Sequence, residues 1–153
     1  MTNLCKQVLD RLAGKTLATA ESCTGGGIGA ALTGVSGSSA VYKGGVISYC
    51  NEIKHALLGV DVELLETLGA VSAPVAREMA IGARKALATD VAVSVTGLAG
   101  PGGDEYGNPV GTVFIGYADA KTALAREYHF LGDREAVRQQ AIVAALELIL
   151  ECF

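Results

Sequence analysis

Apolar positions along the chain switch between two periods, and the switches divide it into elements. Leu4, Val8, Leu9 and Leu12 recur at helical spacing with Lys6, Gln7, Asp10 and Arg11 between them. The chain therefore opens with an amphipathic helix, which Gly14 stops. Residues Thr16–Ala20 alternate like a short strand, and Glu21–Thr24 form a polar turn. From Gly25, the spacing of Ile28, Ala31 and Leu32 predicts a small-residue helix that ends near Gly34. Ser36–Ser39 reads as loop, and Val41–Cys50, rich in β-branched and aromatic residues, as a second strand. Asn51–Leu58 and Val62–Leu68 predict two short helices, with Asn51 as N-cap of the first and Gly69 closing the second. Ser72 as cap and Pro74 in the first turn start a longer helix that carries Val75, Met79, Ala83 and Ala86 on one face. Val91–Val95 is a buried-strand run. Thr96–Asn108 holds five glycines and one proline, a long loop of the kind that is often functional. Val110–Tyr117 and Leu124–Phe130 form an antiparallel hairpin, and Asp133 caps a final helix with Val137, Ala141, Ala144, Ala145 and Leu148 inward.

This order predicts one α/β domain over residues 1–153. Its architecture is three-layer α/β/α around a mixed, mostly parallel five-stranded sheet with one antiparallel strand. Half of the 153 residues are hydrophobic, enough to bury a core without staples. Mean hydropathy is +0.38, raised by small residues, since only 5% of the chain is aromatic.

Charge narrows the function classes. Twelve Lys+Arg against sixteen Asp+Glu give a net charge of −4, which argues against a dedicated nucleic-acid binder. The uncharged run Ser22–Tyr42 is long enough to cross a bilayer, but its six glycines and six Ser/Thr residues exclude a membrane span. No basic region followed by an apolar stretch opens the chain, so no secretory signal is expected. Cys5, Cys23, Cys50 and Cys152 lack CxxC spacing and fit reduced thiols. A soluble cytoplasmic protein is expected, with neither nucleic acid nor membrane as partner. Apolar small-residue helix faces further predict a homodimer or higher homo-oligomer.

The turn Glu21–Gly27, between strand and helix, is the most informative stretch. Gly25, Gly27 and Ala30 match the G-x-G-x-x-G/A dinucleotide fingerprint, and Glu52 stands at a suitable distance for a ribose contact. Against this, four polar residues separate the strand from its first glycine, and the chain offers about half of the usual doubly wound sheet. A nucleophile turn is the other chemical reading. There the hydroxyl of Ser22 or Thr24 stands beside free helix N–H groups, and the glycines admit a substrate close to the backbone. A third reading is purely structural, with Ser22 and Thr24 capping the helix.

Ala20-Glu21-Ser22-Cys23-Thr24-Gly25-Gly26 resembles the signature of the CinA C-terminal domain family, the nicotinamide-nucleotide amidases. Further blocks of that family are matched in order by Gly37-Ser38-Ser39-Ala40, Ser48-Tyr49-Cys50-Asn51-Glu52-Ile53-Lys54, Gly69-Ala70-Val71-Ser72, Thr96–Gly103, Pro109–Val113 and Gly132–Arg138. The resemblance covers essentially the whole chain. It implies a mixed-sheet α/β/α domain that hydrolyses the carboxamide of nicotinamide mononucleotide to nicotinic acid mononucleotide and ammonia; from the residues themselves, no cofactor or metal is expected. Longer family members carry an N-terminal domain resembling molybdopterin-binding proteins, and none is expected within these 153 residues. Cys50 stands where the family block suggests serine.

Amide hydrolysis needs a nucleophile and a base. His55 and His129 lack distinctive context, and two scattered histidines cannot supply a catalytic zinc site. A Ser–Lys dyad remains the economical option, and the family resemblance points the same way. Ser22 would attack, Lys54 would accept its proton, and Tyr49 would orient the lysine or the substrate. Lys54 is preferred to Lys43 because it lies in the matching Asn51-Glu52-Ile53-Lys54 block. Such a lysine must have a lowered pKa, from burial or a nearby cation.

Substrate contacts are expected from Thr24, Gly25, Gly26 and Asn51, and from Thr96, Gly97, Gly100 and Gly102, whose loop could wrap the phosphate as a backbone nest. Arg134 and Arg138, one helical turn apart, could reach the same phosphate. A non-catalytic nucleotide- or partner-binding module of the same fold is the alternative function. It predicts binding without turnover.

Overall fold

The computed structural model describes residues 1–153. Its centre is β1 (Leu17–Glu21), every residue of which is buried. β1 pairs in parallel with β2 (Tyr42–Ile47) on one side and with β3 (Val91–Gly97) on the other. Beyond β3, β4 (Thr112–Ala118) and β5 (Ala123–His129) add antiparallel pairings, which gives the order β2-β1-β3-β4-β5. Only β4 runs against the others, so the sheet is mixed and mostly parallel, as expected.

Both faces are covered. α1 (Thr2–Arg11), α2 (Gly27–Thr33) and α6 (Arg134–Cys152) pack on one side. There Val8, Leu12, Ile28 and Leu32 meet Val137, Ala141, Ala145 and Ile149 over the buried valines of β3. α3 (Asn51–Leu58), α4 (Val62–Thr67) and α5 (Ala73–Leu87) cover the other face, with Val75, Met79 and Ala83 against Ala18, Ala20 and Ala92. Small residues set this spacing. A Cβ on Gly116 of β4 would run into the Ala76 carbonyl of α5. No helix is long and apolar enough to cross a membrane.

Several expectations about termini change. β1 extends through Glu21, because its main chain still pairs with Ile47 and Val95 there. Residue Cys50, not Asn51, occupies the N-cap of α3, and it makes no side-chain capping bond. Ser72 holds the N-cap position of α5 but turns its hydroxyl back to the Gly69 carbonyl (3.0 Å). Ala86 is exposed, so the inward stripe of α5 ends at Ala83. The small-residue stripes of α2 (Ile28, Gly29, Leu32) and α5 (Val75, Ala76, Met79, Ala80, Ala83) are buried within the chain.

The parallel strands place the site. β1 leads to β2 on one side of the sheet, while β3 leads to β4 on the other. Ligands of open α/β sheets bind outside the strand carboxyl ends at such a reversal. Ser22, Ser48 and Gly97 all lie there.

Candidate active site

Ser22 follows directly from β1, and its N–H still bonds the Val95 carbonyl of the β3 ladder (3.0 Å). On the other side, the Ser48 N–H bonds the Glu21 carbonyl (2.8 Å), which continues the β1–β2 ladder one residue past β2. These two bonds fix where the nucleophile turn begins. Lys54 enters from the first turns of α3 and is 1% exposed. Its Nζ lies 3.1 Å from Ser22 Oγ and donates to the Ser48 carbonyl at 2.7 Å.

Burial removes water from this amine and pushes its pKa down to about 8, with weaker opposing effects from the neighbouring Cys50 and Cys23 thiols. With the Ser48 carbonyl taking one N–H, the lone pair of the neutral amine is available to the Ser22 hydroxyl. That is the geometry of a general base beside its nucleophile.

The other three base candidates stand elsewhere. Lys43 is exposed on edge strand β2 and donates to the Ser39 carbonyl (3.0 Å). His55 is bonded through Nδ1 to Val60 (2.8 Å), and His129 through Nε2 to Glu127 (2.6 Å).

Ser22 and Lys54 form the floor of a cavity of about 590 Å³. Its walls include Tyr49, Asn51, Thr96, Gly97, Gly100 and Gly102, all expected at the site, together with Arg134. Arg134 donates to the Gly100 carbonyl (2.8 Å) and the Tyr49 hydroxyl (3.2 Å). Tyr49 is therefore tied to Arg134 at the mouth rather than to the lysine. Thr96 donates to the Ala70 carbonyl at 2.9 Å.

Four residues expected to touch substrate do not line this cavity. Thr24 is fully buried and donates to Glu21 (2.7 Å). Gly25 and Gly26 shape the turn, both at positive φ. Arg138 donates to the Cys23 and Thr24 carbonyls (3.1 and 3.2 Å), so its guanidinium braces the turn from outside. The dinucleotide reading also loses its basis. The Glu21 carboxylate occupies the Ile28 and Gly29 N–H groups at the start of α2, which a pyrophosphate would need. Glu52 is exposed and outside the cavity.

Sequence reasoning missed Ser48, Tyr106 and Asp104. Ser48 acts through a main-chain carbonyl, which no side-chain pattern signals. Tyr106 and Asp104 organise the long loop. The Tyr106 hydroxyl donates to the Glu66 carbonyl (2.9 Å), and Asp104 accepts from the Tyr106 and Asn108 N–H groups (3.2 and 3.0 Å). The Asp104 and Asn108 spacing is an i, i+4 side-chain pair (2.8 Å) that was readable in principle.

A three-layer α/β domain with a buried Ser–Lys pair at the strand carboxyl ends defines the class of this protein. Its family follows from comparison with known proteins: the CinA C-terminal domain profile matches residues 1–153, and the chain belongs to that family. The nicotinamide-nucleotide amidohydrolase PncC of Escherichia coli K12 is 48% identical over 141 residues, covering 92% of this chain and 86% of that protein. A CinA-like protein of Thermosynechococcus vestitus is 52% identical over 138 residues, covering 88% of this chain. The chain spans about a third of the length of that relative (33%). A crystal structure of a CinA superfamily protein from Escherichia coli superposes with a TM-score of 0.97 at 36% identity, covering 99% of this chain and 90% of that one.

Proposed function

We propose that this domain is an amidase that hydrolyses the carboxamide of nicotinamide mononucleotide through Ser22 and Lys54. The observation that carries the proposal is the buried Lys54 amine 3.1 Å from Ser22 Oγ, with its pKa lowered to about 8. The likeness to PncC supplies the substrate class.

Ser22 Oγ attacks the carboxamide carbon while Lys54 Nζ takes the hydroxyl proton. Negative charge gathers on the carboxamide oxygen. Cys23 lines the cavity next to Ser22, and its N–H, which has no acceptor in the fold, is the candidate donor to that charge. The tetrahedral intermediate collapses, and the Lys54 ammonium hands its proton to the departing nitrogen, which leaves as ammonia. A water molecule then attacks the acyl-enzyme, Lys54 accepts its proton, and nicotinic acid mononucleotide departs with Ser22 restored. Arg134 is the only arginine lining the cavity and is the partner for the nucleotide phosphate.

Incubating the purified chain with nicotinamide mononucleotide should release ammonia and the acid in equal amounts, with or without chelator. Binding of the nucleotide without any ammonia across pH 7 to 9 would replace this proposal with the non-catalytic binding module. Light scattering on the same sample tests the expected homo-oligomer, which a clean monomer at micromolar concentration would dismiss.

A further inference from the structure

We propose that Glu21 is a positioning residue for the nucleophile, gripping both ends of the Ser22 turn with one buried carboxylate. The inference rests on the reading of Ser22 as nucleophile. Glu21 is 2% exposed, directly precedes Ser22, and forms no salt bridge to any cation. Oε1 accepts the Thr24 hydroxyl (2.7 Å) and the Ile28 N–H (2.9 Å), and Oε2 accepts the Gly29 N–H (3.0 Å).

A buried carboxylate without a cation is costly unless donors surround it. Here the donors come from both sides of the turn. Gly26, the N-cap of α2, has φ +101 and no side chain; the Gly27 N–H turns back to the Thr24 carbonyl (3.0 Å), but no cap side chain is there to take the Ile28 and Gly29 N–H groups. Glu21 does so from the end of β1. The side chain thereby ties the residue before Ser22 to the residue two beyond it and to the start of α2. Arg138 grips the same turn from the opposite side, through the Cys23 and Thr24 carbonyls.

The main chain of Glu21 reaches the other half of the pair. Its carbonyl accepts the Ser48 N–H (2.8 Å), and the Ser48 carbonyl accepts Lys54 Nζ (2.7 Å). One residue thus references both nucleophile and base to the end of β1. Stability alone does not require this arrangement, since a polar side chain at the helix start would satisfy the same N–H groups locally, as Asp133 does for α6.

The test is Glu21→Gln in the full chain. Glutamine keeps the shape but has one acceptor oxygen, so its NH₂ must face a donor. Three quantities are read: kcat and KM for nicotinamide mononucleotide, and the rate at which an alkyl fluorophosphonate labels Ser22. In labelling, Ser22 Oγ bonds phosphorus, fluoride leaves, and Lys54 takes the proton. A sub-ångström misplacement of Oγ should lower kcat and the labelling rate together, on the order of 10- to 100-fold, with KM within about threefold. A purely structural role would move the melting temperature and leave both rates, per folded molecule, unchanged. That outcome overturns the inference. If Glu21→Gln does not fold, Thr24→Val removes one of the three bonds at equal volume. It should slow both rates by about 3- to 10-fold, and wild-type rates there overturn the inference. The two readings fail separately. Slowed labelling in a chain that never releases ammonia sinks the amidase alone, whereas wild-type labelling in a folded, active variant sinks the positioning role alone.

Discussion

The floor and the rim of the cavity are built on opposite terms. On the floor, Ser22 and Lys54 are 8% and 1% exposed, and their partners are each other and main-chain groups at the β2 and β3 ends. At the rim, Tyr49 is 62% exposed, and Arg134 is held by a loop carbonyl and that one hydroxyl. Burial is what the floor supplies, because desolvation is what lowers the Lys54 pKa toward neutral pH. The rim needs the reverse. A guanidinium stays charged wherever it sits, and water lets a phosphate enter and leave. In the proposed mechanism the chemical step belongs to the buried half and substrate capture to the exposed half, so changes in the two halves should separate kcat from KM.

The largest effect should come from breaking the floor. Ser22→Ala removes the attacking oxygen but leaves Arg134 and the loop intact, so turnover should fall at least about 10³-fold with nucleotide binding retained. Lys54→Arg should be as severe, because a guanidinium cannot accept the serine proton. The Ser22→Ala, Lys54→Arg double variant should be little worse than either single one. Steady-state assays with calorimetric binding check all three. Substantial turnover in Ser22→Ala would sink the dyad, and wild-type turnover in Lys54→Arg would return the base to Lys43 or His55.

How far the floor and rim could be read from sequence also differs, for a physical reason. Elements set by local periodicity were legible: α3 runs Asn51–Leu58 as predicted, Asp133 caps α6 by accepting the Ala136 N–H (2.9 Å), and β4 is the lone antiparallel strand. Ser22 and Lys54 were legible as types in a family pattern. Their contact spans the whole β1–α2–β2 unit, and only the parallel register of Glu21 with Ile47 brings it about. The grip of Glu21 on α2 and the Ser48 carbonyl under Lys54 left no local trace. Arg134 and Arg138 share a helix face and looked equivalent; the packing of α6 sends one into the cavity and the other behind the turn.

A smaller effect follows from the energetics of the buried lysine. Its folded pKa of about 8 lies below the ordinary 10.5, so the unfolded chain binds more protons between those values and stability rises with pH across that window. Below pH 8 the full penalty applies, about 3 kcal/mol for a depression of this size. Lys54→Met removes the penalty but orphans the Ser48 carbonyl, a loss of about 1–3 kcal/mol, so the variant should be as stable as wild type or slightly more so at pH 7. Between pH 8 and 10.5 the wild type should gain about 3 kcal/mol on the variant in urea melts. A difference that does not move with pH would mean Lys54 titrates as a surface lysine. Wild-type kcat/KM should meanwhile climb with pH through about 8 as the amine loses its proton.

The smallest effect should come from the rim, and it tests whether the division holds. Tyr106 lines the cavity, packs its ring on Gly69 and donates its hydroxyl to the Glu66 carbonyl beyond the cavity wall. Tyr106→Phe keeps the ring and removes this one exposed tether of the loop between β3 and β4, a loss of about 0.5–1 kcal/mol. If the loop only holds substrate, that energy should appear as a KM raised about 2- to 5-fold with kcat unchanged. Gly69→Ala sharpens the test. The glycine sits at φ +79, and a Cβ there would meet the Tyr106 ring at 2.5 Å, so the ring must shift and KM should rise further. A fall in kcat that matches the rise in KM would show instead that the loop also shapes the surroundings of Ser22. Floor and rim would then be one unit, with Thr96 and its bond to Ala70 the first connection to examine.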